Sequence, residues 1–220
     1  MDEYNFTVGT LPSEIYDMPL EEVAEYLRGL LGGTPVLPPI VPSVVPPAMA
    51  TVKKAQKYLW SETEKDGLEM GVIFSRDGKY MLNKKGTKHY IRWSAEEANK
   101  AKGGTMWHTH PHDVAHSFQD VEFAAARNMK EMGVIAEKHI YSIKPKTTWA
   151  EVDIYSLKYA YTRQKDIMRT KYLPYYNRLI AGGIPSQKAA YAANHYCFLD
   201  LWDNLAPRFN LTFSAKRKGF

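Results

Sequence analysis

A single cysteine, Cys197, stands in a chain of 220 residues. It excludes an intramolecular disulfide and a zinc site made of cysteines alone, and it fits a reducing compartment. No run of about 18 or more apolar residues is present, the length that a membrane-crossing helix needs. The opening MDEYNFTVG is acidic and lacks the charged-then-apolar pattern of a secretory leader. The expectation is a cytoplasmic protein, or one exported without a general secretory signal peptide in a phage or toxin setting. Internal repeats are missing too. Hydrophobic residues make up 45% of the chain, near the globular average, so a packed core is expected rather than a disordered chain.

The net charge of +5 is unevenly spread. Residues 161–220 hold 10 Lys/Arg against 3 Asp/Glu, whereas residues 1–160 hold 19 against 21. A basic excess confined to the C-terminal part suits an acidic protein, nucleic acid or an anionic surface as partner. A solvated helical face accounts for it equally well.

Three segments follow from the patterning. Residues 1–48 comprise a helix over 17–33, capped by Asp17 and stopped by Gly32-Gly33, and a proline-rich stretch over 35–47 that acts as linker or strap. Residues 49–150 form an α/β core. It opens with a helix whose apolar positions are Val52, Ala55 and Leu59. GLEMGVIFS then alternates, with Glu69, Gly71 and Ile73 on one side and Leu68, Met70, Val72 and Phe74 on the other. Asp77-Gly78 supplies a hairpin turn. Short strands are expected in KYMLN and KHYIRW, a capped helix in SAEEANKAKGG and a strand in TMWHTHP. A helix over SFQDVEFAAARNMKEMG and a strand over VIAEKHIYSIK complete the core. Residues 151–220 read as a basic, aromatic-rich extension of two helices, the first ended or kinked before Pro174 and the second starting at Pro185. Helices alternate with strands, so the class is α/β or α+β, a mixed sheet flanked by helices.

The chemistry concentrates in HTHPHDVAH, residues 108–116, which holds four of the seven histidines. His108 and His110 are two apart on a strand and share a face, so both can hold one ion. Asp120 lies in the first turn of the following helix, and the loop after Pro111 can bring its carboxylate back to them. Two His and one carboxylate leave a fourth position for water, the arrangement of catalytic rather than structural zinc. The ion would lower the pKa of that water towards neutrality. Each part also has an ordinary explanation: S-x-x-D is a helix cap, Pro111 a strand terminator, Glu69 a solvent-facing strand residue. Asp113 is a rival to Asp120 as ligand, and His112 and His116 are further candidates.

Together, Glu69, His108-Thr109-His110-Pro111 and Ser117-Phe118-Gln119-Asp120 resemble the signature of the JAMM (MPN+) metallopeptidase family, over about residues 49–150. Gly71 after the glutamate and Trp107 before the first histidine fit as well. The E-x-G form, the Asp-Gly hairpin and HTHP are most similar to bacterial JAMM-like domains of toxin, phage and secretion-linked proteins. Six residues separate His110 from Ser117, one fewer than the family's usual loop.

The resemblance implies a JAMM-like, cytidine-deaminase-like core. It further implies Zn2+ held by His108, His110 and Asp120, with Glu69 as general base and Ser117 as oxyanion donor. The reaction would be hydrolysis of a peptide or isopeptide bond in a protein or peptide substrate. The alternative is a non-catalytic interaction module of a phage or secretion assembly, whose structural metal would be closed by a fourth ligand such as His112 or His116. A metal-dependent nuclease or phosphoesterase served by the basic tail fits less well, because no carboxylate-rich magnesium site is evident.

Overall fold

A computed structural model describes residue 49 and residues 51–220. The helix expected over 17–33 and the proline-rich stretch lie outside these residues. The described part is a six-stranded mixed sheet flanked by helices.

Helix α1, Val52–Asp66, is capped by the Thr51 hydroxyl and stopped by Gly67, whose φ of 71° is open to glycine. Strands β1 (Met70–Phe74) and β2 (Tyr80–Lys85) form the expected hairpin, with Gly78 at φ 82° in the turn. Helix α2, Ala95–Lys100, carries a capping box between Ser94 and Glu97. Strand β3 is Thr105–Thr109, helix α3 Phe118–Ala126, β4 Glu131–Ile135 and β5 His139–Pro145. Two long helices follow, α4 (Ile154–Ala181) and α5 (Ser186–Arg208), and the last strand is β6, Leu211–Arg217. The sheet order is β2-β1-β3-β4-β5-β6. Only the central β3/β4 pair is parallel; the remaining pairs are antiparallel.

The pleat sorts the core into two clusters, one on each face. Met70, Val72, Phe74 and Trp107 pack with Leu59 and Trp60 of α1. Ile73, Met106, Met132 and Val134 face the other way, towards Phe118 and Val121 of α3, Leu157 of α4 and Leu201 and Trp202 of α5. The predicted alternation in β1 is therefore present, with both faces buried. Glycine at 133 is required by a close approach, since a Cβ there would sit 2.1 Å from the Trp107 ring. Gly71 likewise makes room for Ile91 and Trp93, since a Cβ there would sit 2.8 Å from each.

Five sequence expectations need correction. KHYIRW is not a strand. Thr87 and Tyr90 close a local turn, with Thr87 N–H donating to Tyr90 O at 2.9 Å and the Tyr90 N–H to the Thr87 hydroxyl at 3.3 Å, so those donors are not offered to a ladder. The helix expected through Gly133 ends at Ala126, where Asn128 turns the chain at φ 48° and Met129 N–H bonds Ala124 O. VIAEKHIYSIK splits into β4 and β5 around a tight turn in which Ala136 N–H meets His139 O at 2.8 Å. Pro174 does not end its helix. It lies inside α4 on an exposed stretch, where the carbonyl that it leaves unpaired can meet water. The C-terminal part also holds a strand, not only helices: β6 pairs along all of β5, from His139↔Arg217 to Pro145↔Leu211.

Candidate metal centre

The pleat carries the site. His108 pairs with Gly71 across β1/β3 and with Val134 across β3/β4. Thr109 points to the α1 face, where its hydroxyl meets that of Thr63 at 2.6 Å and accepts the Met70 N–H at 2.8 Å. That buried bond ties the start of β1 to the end of β3, next to Glu69, whose carboxyl feels the charges of His108 and Asp120. The motif by itself gives Thr109 no task. Its signal is the alternation, which puts the middle residue of H-x-H on the opposite face.

His110 lies one residue past β3, held by its N–H to Ile135 O at 2.9 Å. The chain then runs through residues 111–116 and enters α3 at Ser117. The capping box here does two things at once. The Ser117 N–H and hydroxyl both donate to Oδ2 of Asp120, at 2.7 and 2.9 Å, while the Asp120 N–H returns a bond to the hydroxyl at 3.2 Å. The helix is capped, and the other carboxylate oxygen, Oδ1, is left facing His108.

The structure brings His108, His110 and Asp120 together as one group whose ligand atoms lie within 4.8 Å of each other. His108 Nε2 is 3.1 Å from His110 Nε2 and 3.3 Å from Asp120 Oδ1, and His110 Nε2 is 4.0 Å from Asp120 Oδ2. Tetrahedral bonds of 2.0–2.2 Å place neighbouring ligands about 3.3 Å apart, so the donor set fits such an ion. His110 Nδ1 lies 3.0 Å from the Val114 carbonyl. A carbonyl only accepts, so this nitrogen carries the proton and Nε2 presents its lone pair. The side chains of His110 and Asp120 keep 16% and 18% of their surface exposed, so the group is not fully sealed from solvent.

Electrostatics agree. Burial raises the Glu69 carboxyl to about 8, with the Asp120 charge adding to the rise and His108 opposing it. Glu69 therefore senses both residues while standing outside the group of three. Burial also tends to raise Asp120, but His108, His110 and His116 outweigh it and hold this carboxyl far below the usual range. Burial opposes the charged form of His108, yet Asp120 and Glu69 win and its pKa rises. His110 falls to about 4 through burial and the neighbouring His108.

The rival ligands stand elsewhere. His112 stacks on Tyr191 with ring centroids 3.7 Å apart. His116 is buried and its Nε2 meets Met132 O at 2.9 Å, and burial lowers its pKa to about 3. Asp113 belongs to a second group with His139 and His195. Its geometry differs from that of the first. His139 Nδ1 is 2.7 Å from Asp113 Oδ2, a hydrogen-bond length, and the two imidazoles stack at 4.5 Å with planes 23° apart. Nearly parallel rings cannot aim in-plane lone pairs at one ion, so this group is a hydrogen-bonded network. Among the described residues no helix is long and apolar enough to cross a membrane. No family model, no curated protein and no solved structure matches the chain.

Proposed function

We propose that the protein is a zinc-dependent hydrolase of the JAMM type that cleaves a peptide or isopeptide bond. The observation that carries this reading is the His108–His110–Asp120 group with a buried, elevated carboxyl, Glu69, beside it. Structural zinc is closed by four protein ligands, whereas catalytic zinc keeps a position free. Neither His112 nor His116 joins the group of three, which argues against the alternative of a closed, structural ion in a non-catalytic module.

His108 and His110 would hold the ion through Nε2 and Asp120 through Oδ1. Bound there, zinc would supply Lewis acidity, able to polarise a scissile carbonyl and lower the pKa of a water towards neutrality. Glu69 takes the proton of the attacking water and passes it to the leaving nitrogen. Its burial suits both halves of that task, because an elevated carboxyl accepts a proton readily and a cation close by restores its charged form. Ser117 holds Asp120 through its hydroxyl, and turning that proton outward would offer a donor to the oxyanion.

The test is Glu69→Gln, assayed on peptide and isopeptide substrates with zinc content measured in parallel. Loss of a positioned general base costs about 100- to 10,000-fold in rate, so hydrolysis should fall by at least the lower figure while zinc stays bound. Full hydrolysis by a zinc-loaded E69Q protein would refute the assignment.

A further inference from the structure

The segment from His110 to Ser117 has no regular structure, yet it starts at one metal-ligand candidate and leads into the helix that carries another, Asp120. Its middle is gripped from outside. Asp113 is buried, with 8% of its surface exposed, and four groups converge on its carboxylate. The Lys138 N–H donates to Oδ1 at 3.2 Å, His139 Nδ1 lies 2.7 Å from Oδ2, the Tyr141 hydroxyl is 3.4 Å from Oδ1, and His195 Nδ1 is 3.4 Å from Oδ2. Tyr141 also bonds His195 Nδ1 at 2.8 Å, so β5 and α5 close the network. Helix α5 takes a second hold on the segment at Trp202, whose Nε1 donates to His116 O at 2.8 Å.

Between these two holds lies Val114, whose carbonyl takes the proton of His110 Nδ1. A carbonyl in an irregular segment stays in place only if its neighbours are fixed, and the residue before it is Asp113. We propose that Asp113 is a positioning residue. Braced by His139, Tyr141 and His195, it holds the Val114 carbonyl where it sets the tautomer and ring orientation of His110. The brace acts through the backbone of residues 113–114, and Asp113 touches neither the ion site nor substrate. The proposal rests on the metal-site reading for its consequence, ion affinity, but not for its structural claim. It also gives the C-terminal helix a task in the site: His195, 85 positions along the chain from His110, supports the orientation of that imidazole.

The test is made on the full chain in two steps. Long-range proton–nitrogen NMR on the zinc-free protein reads which ring nitrogen of His110 carries the proton, and zinc titration then reads affinity. The intact protein should show the proton on Nδ1. Asp113→Asn keeps the shape but removes the charge and one acceptor. It should shift His110 towards the Nε2-protonated form and weaken zinc by about 10- to 100-fold, the usual cost of losing an outer partner. Should that variant not fold, His139→Leu, which removes the 2.7 Å bond and the stack on His195 but leaves the Asp113 carboxylate in place, is expected to move both readouts in the same direction. A folded variant of either kind that keeps the Nδ1 proton and the parent zinc affinity overturns the proposal. If the parent protein binds no zinc, the hydrolase reading fails on its own, and the tautomer still decides the role of Asp113.

Discussion

At the scale of single residues, the account depends on charges that are costly without an ion. Glu69 has a carboxyl raised to about 8 by burial, against roughly 4.3 for an unperturbed glutamate. A carboxyl raised on folding favours the protonated native state. Its contribution is intact below the unfolded value, and stability is lost as pH climbs towards 8. Without zinc, E69Q should therefore be more stable than the parent at pH 8, by at most about 5 kcal/mol, and the gap should close near pH 4. Urea unfolding at the two pH values measures it; an equal gap at both would show that Glu69 is not buried as described. His108 and Asp120 form the opposite kind of pair, their charges supporting each other. An ion must displace the proton that they share, so zinc affinity should rise with pH and binding should release protons. Calorimetry in buffers of different ionisation enthalpy counts them. Asp120→Ala should cost zinc affinity more than the about 10- to 100-fold typical of outer partners.

At the scale of elements, the site is assembled where β1 begins and β3 ends, with α3 supplying the third group. Much of this is legible in the sequence. Period-2 alternation puts Glu69 on the side of Ile73 and puts His108 and His110 on one face, and S-x-x-D before an apolar run announces a capped helix at Ser117. The bland and the chemical readings of that cap prove to be one structure, since the bonds that cap α3 also aim Asp120 at His108. What is not legible depends on distant partners. The Asp113 network joins residues from the loop, β5 and α5, and no local pattern marks it. KHYIRW has strand-forming residues, but a turn at Thr87 takes its donors. EMG reads as the end of a helix, because the ladders with β3 and β5 that make it part of a strand come from distant segments. The pairing with β3 gives a further prediction. Gly133→Ala drives a methyl into the Trp107 ring, and overpacking of this kind costs about 1–3 kcal/mol. A chemical-denaturation midpoint equal to that of the parent would contradict the close packing of β3 on β4.

At the scale of the whole molecule, the basic C-terminal part is tied into the sheet and into the site. Strand β6 covers the β5 edge along its full length, and Phe213 stacks on Tyr141 at 6.3 Å. Deleting residues 209–220 should remove the cooperative unfolding transition or lower stability by more than about 3 kcal/mol, as loss of buried Leu211 and of the partly buried Phe209 and Phe213 from the core would; a protein that unfolds as sharply as before would mean that β6 is dispensable. The sequence pattern shows the charge of this region and its two helices, but a strand that pairs with β5 from beyond two helices has no local sign except the alternation in LTFSAKR. The measurement that bears most directly on the whole account is zinc K-edge absorption spectroscopy on the full chain after dialysis. The account predicts about one zinc per chain, with two imidazole nitrogens and oxygen ligands at about 2.0–2.2 Å, and loss of the imidazole signal when His108 and His110 are both replaced by alanine. A chain that retains no zinc, or holds it through oxygen alone, would contradict it.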